Sequence, residues 1–341
     1  MKILGLLLLC LFASLTGWSQ QEGRGEEETK IVFWNVENLF DTKDDTLTRD
    51  EEFLPYGIRG WSNERYQQKL FAIYKTLVAT GGWELPDLIA LAEVENNEVL
   101  KDLIERTPLL RGGYQIIHQE SEDRRGIDLA ILYRASQIEV SDTSFIRLSF
   151  PQDPNRKSRD IIHIKANANH SQNFHLFTNH WPSRYGGGKA SEGRRIHAAK
   201  VLRMYADSIL VAEPEAAIIF TGDFNDTPAD PSLQHLTNGP NGFEVISLKS
   251  FEGTHKHQGL WSHFDHVWVN KNLRPVNGPN MLYAEADIFH PDWLLEEDRT
   301  YGGYKPKRTY VGYRYHGGFS DHLPLIIKLK TTASVLAGKE N

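Results

Sequence analysis

Five short polar strings in this 341-residue chain each abut an apolar run. Ile31–Trp34 leads into Asn35-Val36-Glu37-Asn38, and Leu88–Ala92 into Glu93-Val94-Glu95-Asn96. Phe174–Phe177 leads into Thr178-Asn179-His180-Trp181-Pro182, and Ile218–Phe220 into Thr221-Gly222-Asp223-Phe224-Asn225-Asp226. Ser320-Asp321-His322 opens the last apolar run. A strand needs no carboxylate or imidazole at its end in order to fold. Repeated placement of Asn, Glu, Asp and His there is how a rigid scaffold aims side chains into one cleft. Singly, each string has an ordinary explanation. Asn35 and Glu37 suit a turn, Glu93 a surface loop, and His180 a packed interior. Asp223 and Asn225 suit an Asx-turn, and Ser320 a turn cap. Five together in one chain are harder to explain that way.

Their chemistry coheres. Asn, Glu and Asp oxygens without Cys favour a hard cation: Mg²⁺, Mn²⁺ or Ca²⁺. Such a cation serves phosphate chemistry by neutralising charge on the phosphoryl group. His180 and His322 can move protons and stabilise a transition state. Asp265, in Phe264-Asp265-His266-Val267, is a candidate to orient an imidazole, and an edge-strand acid is its alternative reading.

Composition sets the frame. With 40% hydrophobic and 11% aromatic residues the chain is expected to fold, and a single Cys excludes a disulfide scaffold and Cys-based zinc sites. The net charge of −7 argues against a uniformly basic surface. Positive charge is local: residues 184–203 and 299–318 each carry a net +5, beside His180 and His322 respectively. The first holds Arg184, Lys189, Arg194 and Arg195, with Asn179 just upstream, as candidate substrate contacts on an electropositive rim. A solvated surface is the plainer alternative.

Residues 1–19 have Lys2, an apolar run shorter than a membrane span, and small residues Gly17 and Ser19, the pattern of a secretory signal peptide. Export to the periplasm or exterior is expected, with Cys10 discarded and no stable membrane anchor. A charged linker (20–29) precedes the main body (30–330), and 331–341 reads as a frayed tail. Strand-length runs at 31–36, 87–94, 126–133, 159–166, 174–179, 216–221, 264–269 and 322–329 intersperse with helical patterns at 63–80 and 190–211. Mixed order suggests an α/β protein. Residues 135–160 and 271–316 read as loops or hairpins.

Six strings taken in order resemble the endonuclease/exonuclease/phosphatase superfamily (DNase I-like). They are Trp34–Glu37, Ala92–Asn96, Asn179–Arg184, Gly222–Asp226, Phe264–Val267 and Ser320–Pro324. The resemblance runs from about Lys30 to Lys330. It implies a four-layer α/β sandwich, with two mixed β-sheets face to face and helices outside, in one domain. It also implies roles. Glu93 is the principal metal ligand, supported by Asn35 and by Glu37 or Asp321. Asp265 orients His322, and Asp223 positions or deprotonates the attacking water. Asn225 donates to the phosphorane-like transition state, and His180 helps the leaving oxygen. Asp128, after Arg124 and Arg125, could stand behind the site. The resulting expectation is a monomeric, secreted, Mg²⁺-dependent phosphodiesterase acting on nucleic acid, as a non-specific endonuclease. A phospholipid, inositol phosphate or small nucleotide is the alternative substrate, and a non-catalytic binding protein the alternative class.

Overall fold

Apolar runs of strand length need partners for their backbone amides on both edges and apolar cover on both faces. In a computed structural model of the protein they find both. The structure describes residues 28–331 apart from 83, 152, 169–171 and 274–281, so the expected signal peptide, and the expected tail beyond Thr331, lie outside the described residues. The strands of the two main sheets are β1 (Glu28–Leu39), β2 (Leu88–Val94), β3 (Tyr114–His118), β4 (Asp128–Arg134), β5 (Ile138–Ile146), β6 (Ile161–Ala168), β7 (Gln172–His180), β8 (Ala217–Asp223), β9 (Glu244–Val245), β10 (Asp265–Val269), β11 (Leu282–Ile288) and β12 (Leu325–Thr331). The α-helices are α1 (Asn63–Thr80), α2 (Asn97–Glu105), α3 (Gly188–Ala212) and α4 (Pro231–Thr237).

Two six-stranded mixed sheets result, ordered β11-β12-β1-β2-β4-β3 and β5-β6-β7-β8-β10-β9. Each contains one parallel pair, β1 with β2 and β7 with β8, among antiparallel neighbours. A helix joins each parallel pair, so both sheets are built around a β-α-β unit, β1-α1-β2 and β7-α3-β8.

Side-chain alternation assigns the four layers. Ile31, Phe33, Leu176, Ile219 and Val267 share the core between the sheets. Their neighbours face outward: Val32 and Trp34 pack on Leu70, Ile73 and Leu77 of α1. In the other sheet Phe177, Ile218 and Phe220 pack with Ala198, Leu202 and Ala206 of α3. Each fully buried large apolar side chain contributes about 1.5–3 kcal/mol, so this double cover dominates stability. Phe33→Ala, in the central layer, would cost about 3–5 kcal/mol.

Local signals agree with this. The Ser62 hydroxyl accepts from Arg65 N to start α1, and Gly81 ends it. Asn96 accepts from Glu98 N and Val99 N, so this member of the Glu93–Asn96 string is the cap of α2. Glu28 and Thr29, expected in the linker, begin β1 instead, because Lys330 and Leu329 of β12 offer them backbone partners. Strands β3, β5 and β11 lie where periodicity gave no strand. Within the region read as loops, β5 has an exposed stretch and is held by pairing with β6 rather than by an apolar run.

Candidate active site

The site forms where the two β-α-β units meet. Asn35 and Glu37 lie near the carboxyl end of β1, Glu93 near that of β2, His180 at the end of β7, and Asp223 at the end of β8. Ligands bind beyond the carboxyl ends of parallel strands in open α/β sheets. Register does the rest. His180 pairs with Asp223 across β7–β8, and Asp223 with Asp265 across β8–β10, so three candidate residues stand in one row. In the other sheet Phe33 of β1 pairs with Leu325 of β12, which brings residues 320–322 beside Asn35. Ser320 Oγ donates to Asn35 O (2.7 Å) and accepts from His322 N (3.0 Å), and Trp34 Nε1 donates to His322 O (2.9 Å).

The backbone here is strained. Glu37, Asn38, Glu93 and Asn225 have φ of 54°, 56°, 66° and 53°. Left-handed conformations in non-glycine residues cost about 1–3 kcal/mol each and persist when the surroundings impose them. Glu93 is the extra residue where the β2–β4 register slips between Ala92 and Val94, and such a bulge re-aims a side chain. Gly222 has the opposite requirement, since a Cβ there would lie 2.2 Å from Asn179 O.

The side chains converge. His322 Nδ1 lies 2.8 Å from Asp265 Oδ2, and its Nε2 is 3.8 Å from Asp223 Oδ2. Asn35 Nδ2 donates to Asp223 Oδ2 (3.1 Å), and Asn225 N donates to Asp223 Oδ1 (2.9 Å). His180 Nε2 stands 3.7 Å from Asp223 Oδ2 and 3.9 Å from Glu93 Oε1. Glu93 Oε2 accepts from Asn38 N. Asn225 Nδ2 donates to Trp181 O (3.1 Å), leaving its second amide hydrogen for another acceptor.

Electrostatics divides the roles. Burial raises Asp223 to about 7; His322 works against the rise and Asp265 adds to it. Burial opposes charge on His322, yet Asp265 and Asp223 outweigh it and hold the imidazolium well above the usual histidine range. His180 is pushed the other way, by burial and then by Arg159 and Arg125, so it is neutral. The row therefore presents a proton acceptor near neutrality, a fixed cationic donor and a neutral imidazole.

The donor set fits a divalent cation. The Asp223 and Asp265 carboxylates lie within 4.8 Å of each other, and Glu93 adds a carboxylate facing the same row. Asp265 Oδ1 is buried with no hydrogen-bond partner. Oxygens crowded out of water in this way suit a hard cation.

Glu37 and Asp321 are held differently from the metal-supporting role the resemblance implied. Glu37 accepts from Arg308 Nε (3.0 Å) and Thr309 N (2.5 Å), so both of its oxygens are occupied, and its carboxyl is raised by burial and by Asp321. Arg308 Nη2 also pairs with Asp321 at 2.8 Å, and it outweighs burial to lower that carboxyl to about 2. Asp321 retains a place near His255 and His322, with donor atoms within 4.8 Å. Lys69 of α1, fully buried, donates to Thr309 Oγ1 and Phe319 O, both at 2.6 Å.

The expected rim divides. Arg195 and Asn179 are not at the surface: they are 1% and 0% exposed. Arg195 pairs with Asp226 (2.5 Å), and Asn179 holds Phe177 O, Thr221 O and Trp181 Nε1. A buried guanidinium needs such an acid, which is why Arg195 turned inward. Arg184 bridges Asp226 and Asp230. Lys189 is exposed at the start of α3, and Arg194 is half-buried beside Arg156. Asp128 is buried opposite Val94, accepts from Ser121 N, and is raised by burial to about 6.

Sequence reasoning assigned no role to Lys69, Arg159, His255 or Arg308. Arg308 lay inside the basic 299–318 stretch, a weak signal. Lys69 sits on the buried side of α1 and gave none. His255 lies against His322 with ring centroids 4.7 Å apart and the rings tilted by 39°, and burial, then His322, lowers it to about 4.

A four-layer α/β sandwich with this acid–histidine row at the strand ends is the architecture of DNase I-like phosphoesterases. The chain belongs to the endonuclease/exonuclease/phosphatase family, whose profile matches residues 30–331. Similar solved structures include a family protein from Bacteroides thetaiotaomicron (15% identity, TM-score 0.58, covering 90% of this chain and 99% of that one). The mannosyl-6-phosphatase of the same organism is also similar (14%, 0.57, 88% and 99%). So is Danio rerio TDP2 humanized by 14 mutations (16%, 0.56, 89% and 99%). At these identities the likeness concerns the fold. No curated protein matches the chain.

Proposed function

We propose that the protein is an exported, divalent-metal-dependent phosphodiesterase that hydrolyses nucleic acid without sequence preference. The observation that carries this reading is the His180–Asp223–Asp265 row with His322 hydrogen-bonded at its end. Asp223, near 7, accepts a proton from the attacking water at neutral pH. His322, charged and fixed by Asp265, donates to a phosphoryl oxygen as negative charge grows there. Asn225 offers its remaining amide hydrogen to the same group, and neutral His180 stands on the side of Asp223 toward Glu93. A divalent cation held by Glu93 with Asn35 would supply further charge neutralisation.

A lipid substrate is less well supported. Leu282 and Leu294 are buried and so offer nothing to a lipid surface. The phosphomonoesterase reading keeps a place, because one structural neighbour is a mannosyl-6-phosphatase. Purified protein should be assayed with Mg²⁺, Mn²⁺ or Ca²⁺ on plasmid DNA, RNA, bis-p-nitrophenyl phosphate and p-nitrophenyl phosphate. Cleavage of DNA or RNA and of the diester, lost with EDTA, is expected. Activity on the monoester alone would replace the nuclease reading, and activity on none would remove it.

A further inference from the structure

Beside the reacting row lies a cavity of about 360 Å³ whose wall carries four cations, Arg125, Arg156, Lys157 and Arg159, and one carboxylate, Asp123. Arg125, Arg156 and Lys157 are exposed, whereas Arg159 is 4% exposed and held by Asp123 (2.9 Å). Pro182, Ser183 and Tyr185, which follow His180-Trp181 in the chain, also line it. Asp123 is buried under the charge of Arg159 and Arg125, which outweigh burial and keep it ionised. The remaining cationic excess faces the opening, where Lys157 is shared with exposed Glu122 (2.8 Å).

One carbonyl joins this cavity to the row. Trp181 O accepts from Arg159 Nη2 (2.7 Å) and from Asn225 Nδ2 (3.1 Å). A substrate lying along the row would therefore bring its next anionic group to these cations. Guanidinium and ammonium groups on an open wall are the donors that phosphate takes. Tyr185, 91% exposed at the rim, offers a ring face to whatever links the two phosphates.

We propose that this cavity is a second phosphate site, with Arg125, Arg156 and Lys157 as its ligands, that selects substrates carrying a phosphate adjacent to the one hydrolysed. The proposal rests on the phosphoesterase reading and narrows it. The second phosphate comes either from a neighbouring nucleotide or from a second ester on a small sugar. Arg159 is the fixed floor of the site; Arg125, shared with Asp123 (3.4 Å), Lys157, shared with Glu122, and Arg156 are exposed side chains that can turn to the anion.

The test compares pairs that differ by one phosphate: TpT with pTpT, and fructose 6-phosphate with fructose 1,6-bisphosphate. Wild-type protein should prefer the two-phosphate member of whichever pair it hydrolyses by at least about tenfold in kcat/KM, a typical return for one charge-assisted contact. The Arg156→Ala/Lys157→Ala double variant, in an exposed segment, should bring that ratio to near one, whereas Lys101→Ala on α2 should keep it. An unchanged ratio in the double variant, or no preference in the wild type, overturns the proposal. Calorimetric titration of inorganic pyrophosphate without divalent metal reads the site independently of turnover. The wild type should bind it, and the double variant should bind at least about tenfold more weakly, with both weakening as salt rises. Equal affinities, or no binding by the wild type, overturn the site. Binding without hydrolysis of either pair keeps the anion site and removes the phosphoesterase reading; hydrolysis of both members of a pair at one rate does the reverse.

Discussion

Asn35 Nδ2 donates a 3.1 Å hydrogen bond to Asp223 Oδ2 across the interface of the two sheets, between residues 188 positions apart. The bond joins the ends of β1 and β8, so the two halves of the sandwich share the carboxylate proposed as the proton acceptor. It lowers the proton affinity of a group that burial raises. Asn35→Ala should therefore move Asp223 to higher pKa. The acid limb of the kcat/KM profile shifts to higher pH, and neutral-pH activity drops about 10- to 100-fold, the value of a hydrogen bond to a charged group. A pH–rate profile whose acid limb stays put would count against a proton-accepting Asp223.

Asp265 acts through His322. Its carboxylate is the nearest charge to the imidazole, at 2.8 Å. Asp265→Asn keeps the shape and removes that charge, so the His322 pKa should fall toward the ordinary histidine value, and kcat should fall about 10²- to 10⁴-fold. An NMR titration of His322 distinguishes this from simple misfolding, since a folded variant with an unmoved His322 would exclude the orienting role.

Glu93 is held in a bulge with φ of 66°. Wild-type activity should vanish with EDTA and return with Mg²⁺. Glu93→Gln should need at least about tenfold more metal for half-maximal activity, with thermal stability close to wild type. Metal titrations that superimpose for the two proteins would remove Glu93 from the ligand set.

Arg195 gives the opposite signature. It and Asp226 are each 1% exposed, so Arg195→Ala leaves a buried carboxylate without its partner. Loss of one member of a buried pair costs about 3–5 kcal/mol, which for a chain of this size lowers Tm by roughly 10 °C. Differential scanning calorimetry checks this. A raised KM with an unchanged Tm would instead return Arg195 to substrate binding.

His163 and His175 stack at 5.2 Å on β6 and β7, with His163 Nε2 3.0 Å from His175 Nδ1. Burial, then His175, lowers His163 to about 4 from 6.5. The unfolded chain takes up this proton near pH 6.5, and the folded chain resists until about 4. Stability is therefore full above pH 6.5 and declines as pH falls, by up to about 1.4 kcal/mol per unit from this group. Denaturant unfolding at pH 7.5, 5.5 and 4.5 should show the decline, and His163→Gln should make it shallower by this one group's share. A parallel slope in the variant would assign the decline to other buried histidines.

The sequence by itself determined the strands that carry the site and the residue types at their ends. Ile31–Trp34, Leu88–Ala92 and Ile218–Phe220 are covered on both faces, and such strands read as unbroken apolar runs, so the polar residues following them stood out. Helix α1 was legible from its period and from the Gly81 stop. Strand β5 was not, because pairing with β6 creates it. Which polar residues face the cleft was decided only by tertiary structure. Asn179 and His180 are adjacent in sequence, yet strand alternation sends one into a buried brace and the other to Asp223. Arg184 and Arg195 read as free cations until Asp226 and Asp230 folded against them. Charge is legible residue by residue, but its partners come from segments the chain brings together only on folding. Arg308 and Lys69 around Glu37, and Arg159 beneath the second cavity, acquire their roles in the same way.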